Sequence, residues 1–158
     1  MQLSFSYDKK KVIQALRYHF ISRPEIRTLI ILVNVFAIVA AILFYTKKIS
    51  PGPFLLSSLL WILLMVSFWF ILPFSIYRRS ATFKEGFIIF FYDHHVRLES
   101  MRGFVDWKWN EFSHFIESPH FFHLYFSPKS FFLVPKENMD AAFEEDLRGI
   151  LQRKITKK

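Results

Sequence analysis

The sequence has no cysteine, and it has only 4 glycines and 7 prolines among its 158 residues. The absence of cysteine excludes a disulfide framework, a thiolate metal site and a cysteine nucleophile. The scarcity of glycine and proline excludes collagen-like and low-complexity chains. Hydrophobic residues make up 53% of the chain and charged residues 22%. This composition excludes a disordered protein, and the length suits one domain or a small domain with a membrane anchor.

Two long segments, Thr28–Thr46 and Ile49–Tyr77, contain no charged residue. A helix rises about 1.5 Å per residue, so the first segment gives a helix of roughly 28 Å, close to the hydrocarbon thickness of a bilayer. The second segment begins with two prolines and a glycine, which interrupt a helix. The sequence therefore predicts a transmembrane hairpin over residues 28–77, with helices at about 28–46 and 54–76.

Positive charge is concentrated around these two segments. Residues 1–79 contain 10 Lys and Arg against 2 Asp and Glu, whereas residues 80–158 contain 11 of each. Because Lys and Arg are enriched on the cytoplasmic side of membrane proteins, we expect both termini in the cytoplasm and the loop at Lys47 and Lys48 outside. The second half has no net positive charge to hold a nucleic-acid backbone, so no nucleic-acid partner is expected.

Few polar residues interrupt the predicted hairpin. Asn34 lies about one helical turn before Ala37, and Ala37 and Ala41 form a pair of small residues with three residues between them. Small residues and single amides mark close helix packing in membranes. We predict that Asn34, Ala37 and Ala41 face the second helix or a second copy of the protein. Membrane lipids and a homo-oligomer or other protein partner are the expected contacts.

Residues 80–158 alternate between apolar and polar side chains in short segments separated by turn residues, which predicts an antiparallel meander. The predicted strands are Phe87–Tyr92, His95–Met101, Phe104–Trp109, Phe112–Glu117, Phe121–Ser127 and Ser130–Pro135, with a shorter one at Ala81–Lys84. The alternation is clearest in the third strand, where Val105, Trp107 and Trp109 share one face. We predict that these three side chains lie in the core of the domain.

One helix closes the chain. Asn138 or Asp140 is its predicted N-cap, and Phe143 and Leu147 begin an apolar stripe that faces the core. Six or seven meandering strands followed by one amphipathic helix predict an α+β membrane protein. Its cytoplasmic part, residues 80–158, is expected to be an antiparallel β-barrel like that of pleckstrin-homology (PH) domains, closed by the C-terminal helix.

Residues 1–27 form a separate N-terminal segment in this interpretation. Leu3–Tyr7 alternates like a short strand, and Asp8 can cap a helix that runs to about Ser22. The helix has an apolar stripe that includes Val12 and Phe20. Two placements remain open, because the segment can dock on the C-terminal domain or its helix can lie flat on the membrane.

The order of these features resembles that of a known family. The N-terminal LSFSYDKKKVIQALRYHF, the apolar hairpin, the central FVDWKWNEF and the strand end at Val134–Lys136 are similar to the YcxB-like membrane proteins of bacteria. The resemblance covers nearly the whole chain. It implies a bacterial inner-membrane protein with a cytoplasmic PH-like domain and no established biochemical activity, so it assigns no catalytic residue.

The sequence gives little sign of catalytic chemistry. His120 and His123 lie near His114, but residues three apart on a strand point to opposite faces, so we expect no metal site. Motifs for nucleotide binding, a nucleophilic serine or a zinc protease are absent. We therefore expect no enzyme activity and no cofactor. The predicted function is presentation of the PH-like domain for protein or peptide interaction, and the alternatives are toxin immunity or a stress response through the hairpin, or lipid-headgroup binding.

Overall fold

The computed structural model describes residues 1–155 and shows an α+β chain with two compact units. One unit combines Met1–Ala15 with the chain from Ser80 onward, and the other is Leu16–Arg79. These boundaries differ from the predicted separate segment at residues 1–27. The N-terminal strand belongs instead to the same unit as the C-terminal half of the sequence.

The first unit contains a four-stranded antiparallel sheet in the order β1-β2-β3-β4. Its strands are β1 (Gln2–Ser6), β2 (Gly86–Phe91), β3 (His95–Ser100) and β4 (Gly103–Lys108). Leu3 lies opposite Ile89, and Phe5 lies opposite Phe87. The side chains of Leu3 and Phe5 are buried, because alternation along β1 places them on the inner face of the sheet. Of the two placements considered for the N-terminal segment, the structure has the strand docked.

A second antiparallel sheet contains β5 (His114–Glu117), β6 (Phe121–Ser127) and β7 (Ser130–Pro135). The helix α5 (Ala141–Lys154) follows, and Asp140 is its N-cap, since the carboxylate accepts a hydrogen bond from the N–H of Phe143 at 2.7 Å. The segment Ala81–Lys84 is not a strand as predicted. Thr82–Lys84 is a turn of 3₁₀ helix, and a second such turn covers Trp109–Glu111.

The two sheets share one core but do not close into a barrel. Buried side chains from both sheets and from α5 form a single apolar cluster. Across residues 1–155 no strand ladder joins the first sheet to the second. The hydroxyl of Tyr7 donates a hydrogen bond to the carbonyl of Leu133 at 2.7 Å and so connects the end of β1 with β7. Burial raises the pKa of this phenol well above its usual range.

The second unit is built mainly from two long apolar helices. The helix α1 (Lys9–Ser22) ends in this unit, α2 spans Pro24–Tyr45, and one continuous helix runs from Pro51 to Arg79. By length and composition, α2 and this continuous helix could each cross a membrane. Both begin with proline in the first turn, where a missing N–H costs nothing, so the second helix starts earlier than predicted.

The continuous helix contains a π-helical segment. It consists of α3 (Pro51–Val66), the π segment Ser67–Ile71 and α4 (Leu72–Arg79). Pro73 does not end the helix, because the change of hydrogen bonding just before it accommodates the ring and the missing N–H.

Candidate functional site: the outer edge of β4

The strand β4 forms an uncovered edge of the first sheet. Every residue of β4 except Trp107 is exposed to solvent. Within the part of the chain that the structure describes, β3 is the only strand paired with β4. An exposed strand edge offers unpaired backbone groups to another chain, and many proteins cover such an edge.

The register shows which backbone groups face outward. The N–H of Tyr92 donates to the carbonyl of His95 at 3.0 Å, which makes this pair a hydrogen-bonded one. Hydrogen-bonded pairs alternate along antiparallel strands, so the N–H and C=O of Phe104 and Asp106 point away from β3. Lys108 obeys the same alternation, because its N–H donates to the side chain of Glu111 at 2.9 Å instead of to β3.

The opposite edge of the same sheet is different. On β1 the carbonyl of Ser4 accepts a hydrogen bond from the side-chain amide of Asn138 at 3.0 Å. Lys11 and Glu137 form an ion pair at 2.7 Å beside it. The segment before α5 therefore covers the β1 edge, and the β4 edge is the one of the two that is open.

Apolar side chains surround the open edge. Met101 is fully exposed in the β3–β4 turn, and Phe104 is 62% exposed. The guanidinium carbon of Arg97 lies 4.7 Å from the centre of the Phe104 ring. Gly103 has φ 133°, a value that residues with a side chain rarely adopt, and this allows the tight β3–β4 turn. The result is a small apolar surface at the start of the edge strand β4.

The predicted core residues are placed differently from one another. Trp109 and Leu147 are buried in the core cluster, and Trp107 and Phe143 are partly buried against it. Val105 is 50% exposed, so its prediction as a core residue is wrong. It is on the same face as Leu98, which lies directly opposite, but β4 is the last strand and no further strand covers the side chain.

A cleft of about 720 Å³, lined mainly by charged residues, adjoins the other end of β4. Its lining includes Asp93, His94, His95, Lys108, Glu111 and Lys154. Arg97 and Asp106 also line it and form a bidentate ion pair, with Nε–Oδ1 2.7 Å and Nη2–Oδ2 2.9 Å. The hydrogen bond from Arg97 lowers the pKa of Asp106, and the same bond raises the pKa of Arg97. Asp106 is therefore held as a carboxylate.

The cleft has no geometry for a metal ion. Among the described residues no group of three or more His, Asp or Glu side chains could hold one. His123, for which the sequence predicts no metal-binding role, is buried with Nε2 2.9 Å from the hydroxyl of Ser118. The polar side chains of the cleft are suited to hydrogen bonds and ion pairs with a bound chain.

The residues predicted to pack the hairpin are partly at the helix contact. The indole N–H of Trp61 donates to Oδ1 of Asn34 at 3.3 Å, and Nδ2 of Asn34 donates to the carbonyl of Ile30 at 2.8 Å. Ala37 is half-buried and lines a small cavity with Trp61. Ala41 is exposed, and Ala40 is half-buried in its place. The spacing of small residues in α2 does not show which alanine is half-buried. The hydrogen bond between Asn34 and Trp61 was also not predicted.

An exposed sheet edge is expected of a meander, but the sequence does not show that β4 is the open edge. Alternation with period two indicates a strand but contains no information on whether a further strand lies beside it. The cleft residues come from β3, from β4, from the turns that follow β2 and β4, and from the last turn of α5, so no local motif brings them together.

Comparison with known proteins agrees with the resemblance inferred from the sequence. Residues 91–151 match the family described as YcxB-like protein. No curated protein and no solved structure matches the chain. The matched segment begins in the last residue of β2 and ends within α5, so it includes β3, β4 and the whole second sheet. The chain thus contains a YcxB-like segment, and its two long apolar helices are consistent with the predicted hairpin.

Proposed function

We propose that this protein is a non-enzymatic, multi-pass protein of a bacterial inner membrane. It presents a PH-like unit to the cytoplasm and binds an extended peptide segment of a protein partner along β4. The observation that carries the proposal is the open β4 edge, where the backbone groups of Phe104 and Asp106 point outward.

The membrane location is supported by the two long apolar helices. A second argument comes from β1 and β2, which pair although the hairpin lies between them in the sequence. Both ends of the chain must therefore be on the same side of any membrane, which requires an even number of crossings. The excess of Lys and Arg in the flanks favours the cytoplasmic side.

The PH-like assignment is supported by strand count and order. Four antiparallel strands, then three, then one C-terminal helix follow the layout of PH-like domains. In this chain the first strand precedes the hairpin.

Binding would occur by addition of a strand to β4. The partner backbone would exchange hydrogen bonds with Phe104 and Asp106, and its apolar side chains would contact Phe104 and Met101. Toward the cleft the partner would meet the cationic side chains of Lys108 and Lys154. A peptide with alternating apolar residues and an acidic residue at the end nearer the cleft fits these contacts.

A pair of variants at one position tests this mode. Phe104→Ala removes the aromatic ring but keeps the outward N–H, whereas Phe104→Pro also removes the N–H that an added strand needs. The full-length protein is expressed in cells with a photo-crosslinking amino acid at position 101. We expect a discrete adduct in the parent, a weaker adduct with alanine and none with proline. A crosslinker at Lys129, in the exposed β6–β7 turn, is the control and should give no such adduct. An adduct that persists in Phe104→Pro would contradict strand addition.

A further inference from the structure

An apolar groove of about 490 Å³ lies in the second unit, beside the π-helical segment. Its lining comes from the end of α1, from α2 and from the continuous helix, and it includes Ile21, Ile30, Ile31, Trp61 and Phe70. Almost all of the lining is apolar, and the exception is Arg27. A groove of this composition on a membrane hairpin is suited to a hydrocarbon chain with a charged group at one end.

A second arginine is held in a fixed position near the groove. Nε of Arg17 donates a hydrogen bond to the carbonyl of Trp69 at 2.9 Å. The N–H that would bond this carbonyl in a regular helix belongs to residue 73, which is proline and has none. The guanidinium also lies over the rings of Trp69 and Phe70, at 5.1 Å and 5.3 Å from their centres. Its remaining N–H groups stay available for a phosphate.

Positive charge dominates this end of the hairpin. The start of α2 and the end of α4 are at the same end of the hairpin, because a short loop joins the two helices at their other ends. The charged residues at this end are Arg17, Arg23, Arg27, Arg78 and Arg79 against the single Glu25. In the described chain, neither Arg17 nor Arg27 forms an ion pair with a carboxylate. The groove is therefore apolar along its length and cationic at its mouth.

We propose that this groove binds one molecule of anionic phospholipid, with an acyl chain among the apolar side chains and the phosphate on Arg17 and Arg27. The inference rests on the proposed membrane location. Guanidinium groups bind phosphate oxygens through paired, charge-assisted hydrogen bonds, so the headgroup would be fixed as well as attracted. The binding site is distinct from the β4 edge and needs no protein partner.

Native mass spectrometry of the full-length protein released from nanodiscs tests the proposal. The nanodiscs contain equal amounts of phosphatidylglycerol and phosphatidylcholine, and the measurement is the ratio of the two lipids retained. We expect one retained phosphatidylglycerol per chain. Arg17→Gln and Arg27→Gln should each lower the ratio about fivefold, the effect of one basic residue near an anionic headgroup. Lys47→Gln, at the opposite end of the hairpin, is the matched control and should leave the ratio unchanged.

A second variant tests the apolar part. Ile31 lines the groove but is 57% exposed, so Ile31→Trp fills the groove without disturbing the fold and should reduce total lipid retention. The far-ultraviolet circular dichroism spectrum verifies that Arg17→Gln is folded, and Arg27, whose side chain is exposed, provides an independent arm. Equal retention of both lipids by the parent, or displacement by inorganic phosphate alone, overturns the site. If either result is obtained and the protein is nevertheless found in the membrane fraction of cells, only the lipid site is overturned and the proposed membrane location stands. If the protein is absent from the membrane fraction, both the lipid site and the proposed membrane location are overturned.

Discussion

Trp107 and Val105 lie on the same side of β4 but have different surroundings. The Trp107 ring has three aromatic neighbours, with centroid distances of 6.1 Å to Phe112, 5.1 Å to Phe126 and 5.3 Å to Phe132. Two of these neighbours belong to the second sheet, so Trp107 connects the edge strand with the layer below it. Val105, only two residues away, has half of its surface in solvent.

This difference predicts unequal costs for truncation. Trp107→Ala should lower the free energy of unfolding by about 3 kcal/mol, near the lower end of the range for aromatic core residues, because the ring is only partly buried. Val105→Ala should cost less than about 1 kcal/mol, as is usual for exposed sites. Urea unfolding of the full-length protein in detergent, followed by hydrogen exchange of β3 and β4 peptides, measures both. Equal losses for the two variants would show that Trp107 does not join the sheets as described.

At the scale of elements, an ion-pair cluster connects β5, the residue after β7 and α5. Glu117 accepts hydrogen bonds from Arg148 at 2.7 Å and 3.0 Å and from Lys136 at 2.6 Å. Glu144 is 2.6 Å from Arg148, which is the pair that the spacing of four residues predicts, and 2.9 Å from Lys136. The hydrogen bond from Arg148 is the main cause that lowers the pKa of Glu117 to about 2.

The lowered pKa predicts how stability changes with pH. The unfolded state binds the proton of Glu117 near its ordinary pKa of 4.5, and the folded state binds it only near 2. The contribution of Glu117 is therefore complete above about pH 4.5 and is lost as the pH falls toward 2. Glu117→Gln should be less stable than the parent at pH 5, and the gap should narrow as the pH is lowered. Hydrogen exchange of β5 and α5 peptides between pH 5 and pH 2.5 measures this. Glu145→Gln, at an exposed position of α5, is the control and should be as stable as the parent at each pH. A difference between Glu117→Gln and the parent that does not change with pH would refute the ion pairs as its cause.

The elements that were predictable from sequence are those with local signals. The bounds of β6 and β7 match the predicted Phe121–Ser127 and Ser130–Pro135, since each strand is apolar and bordered by turn residues. The Asp140 cap was one of two predicted candidates. The strand predicted at Ala81–Lys84 failed because four residues are too few to separate a strand from a 3₁₀ turn.

Features that depend on distant parts of the chain were not predictable in the same way. The exposure of Val105 follows from its position on the outermost strand, which is a property of the whole sheet. The partnership of Arg17 with Trp69 requires α1 to lie beside a π-helical segment, and nothing in the local pattern around Ser67 indicates such a segment. The open β4 edge and the apolar groove both depend on how distant segments of the chain are arranged, so neither could be predicted from a local pattern.

At the scale of the whole molecule, the pairing of β1 with β2 constrains how the chain can cross a membrane. Gln2–Ser6 and Gly86–Phe91 are hydrogen-bonded partners, so the segments on either side of the hairpin end in the same compartment. A single crossing would separate them and leave the buried side chains of Leu3 and Phe5 without their sheet. In the proposed topology both ends are in the cytoplasm, which is the orientation expected from the Lys and Arg residues that flank the hairpin.

This topology predicts a labelling pattern that the absence of native cysteine makes simple to read. Ser4→Cys and Ser130→Cys, both at exposed positions of the first unit, should resist a membrane-impermeant thiol reagent in intact cells and react after lysis. Ser50→Cys, in the exposed loop between the long helices, should react in intact cells. Reaction at positions 4 and 130 but not at 50 would reverse the orientation. Reaction at only one of positions 4 and 130 would conflict with the shared core of the first unit, because β1 and β7 pack their side chains into that core and cannot lie on opposite sides of a bilayer.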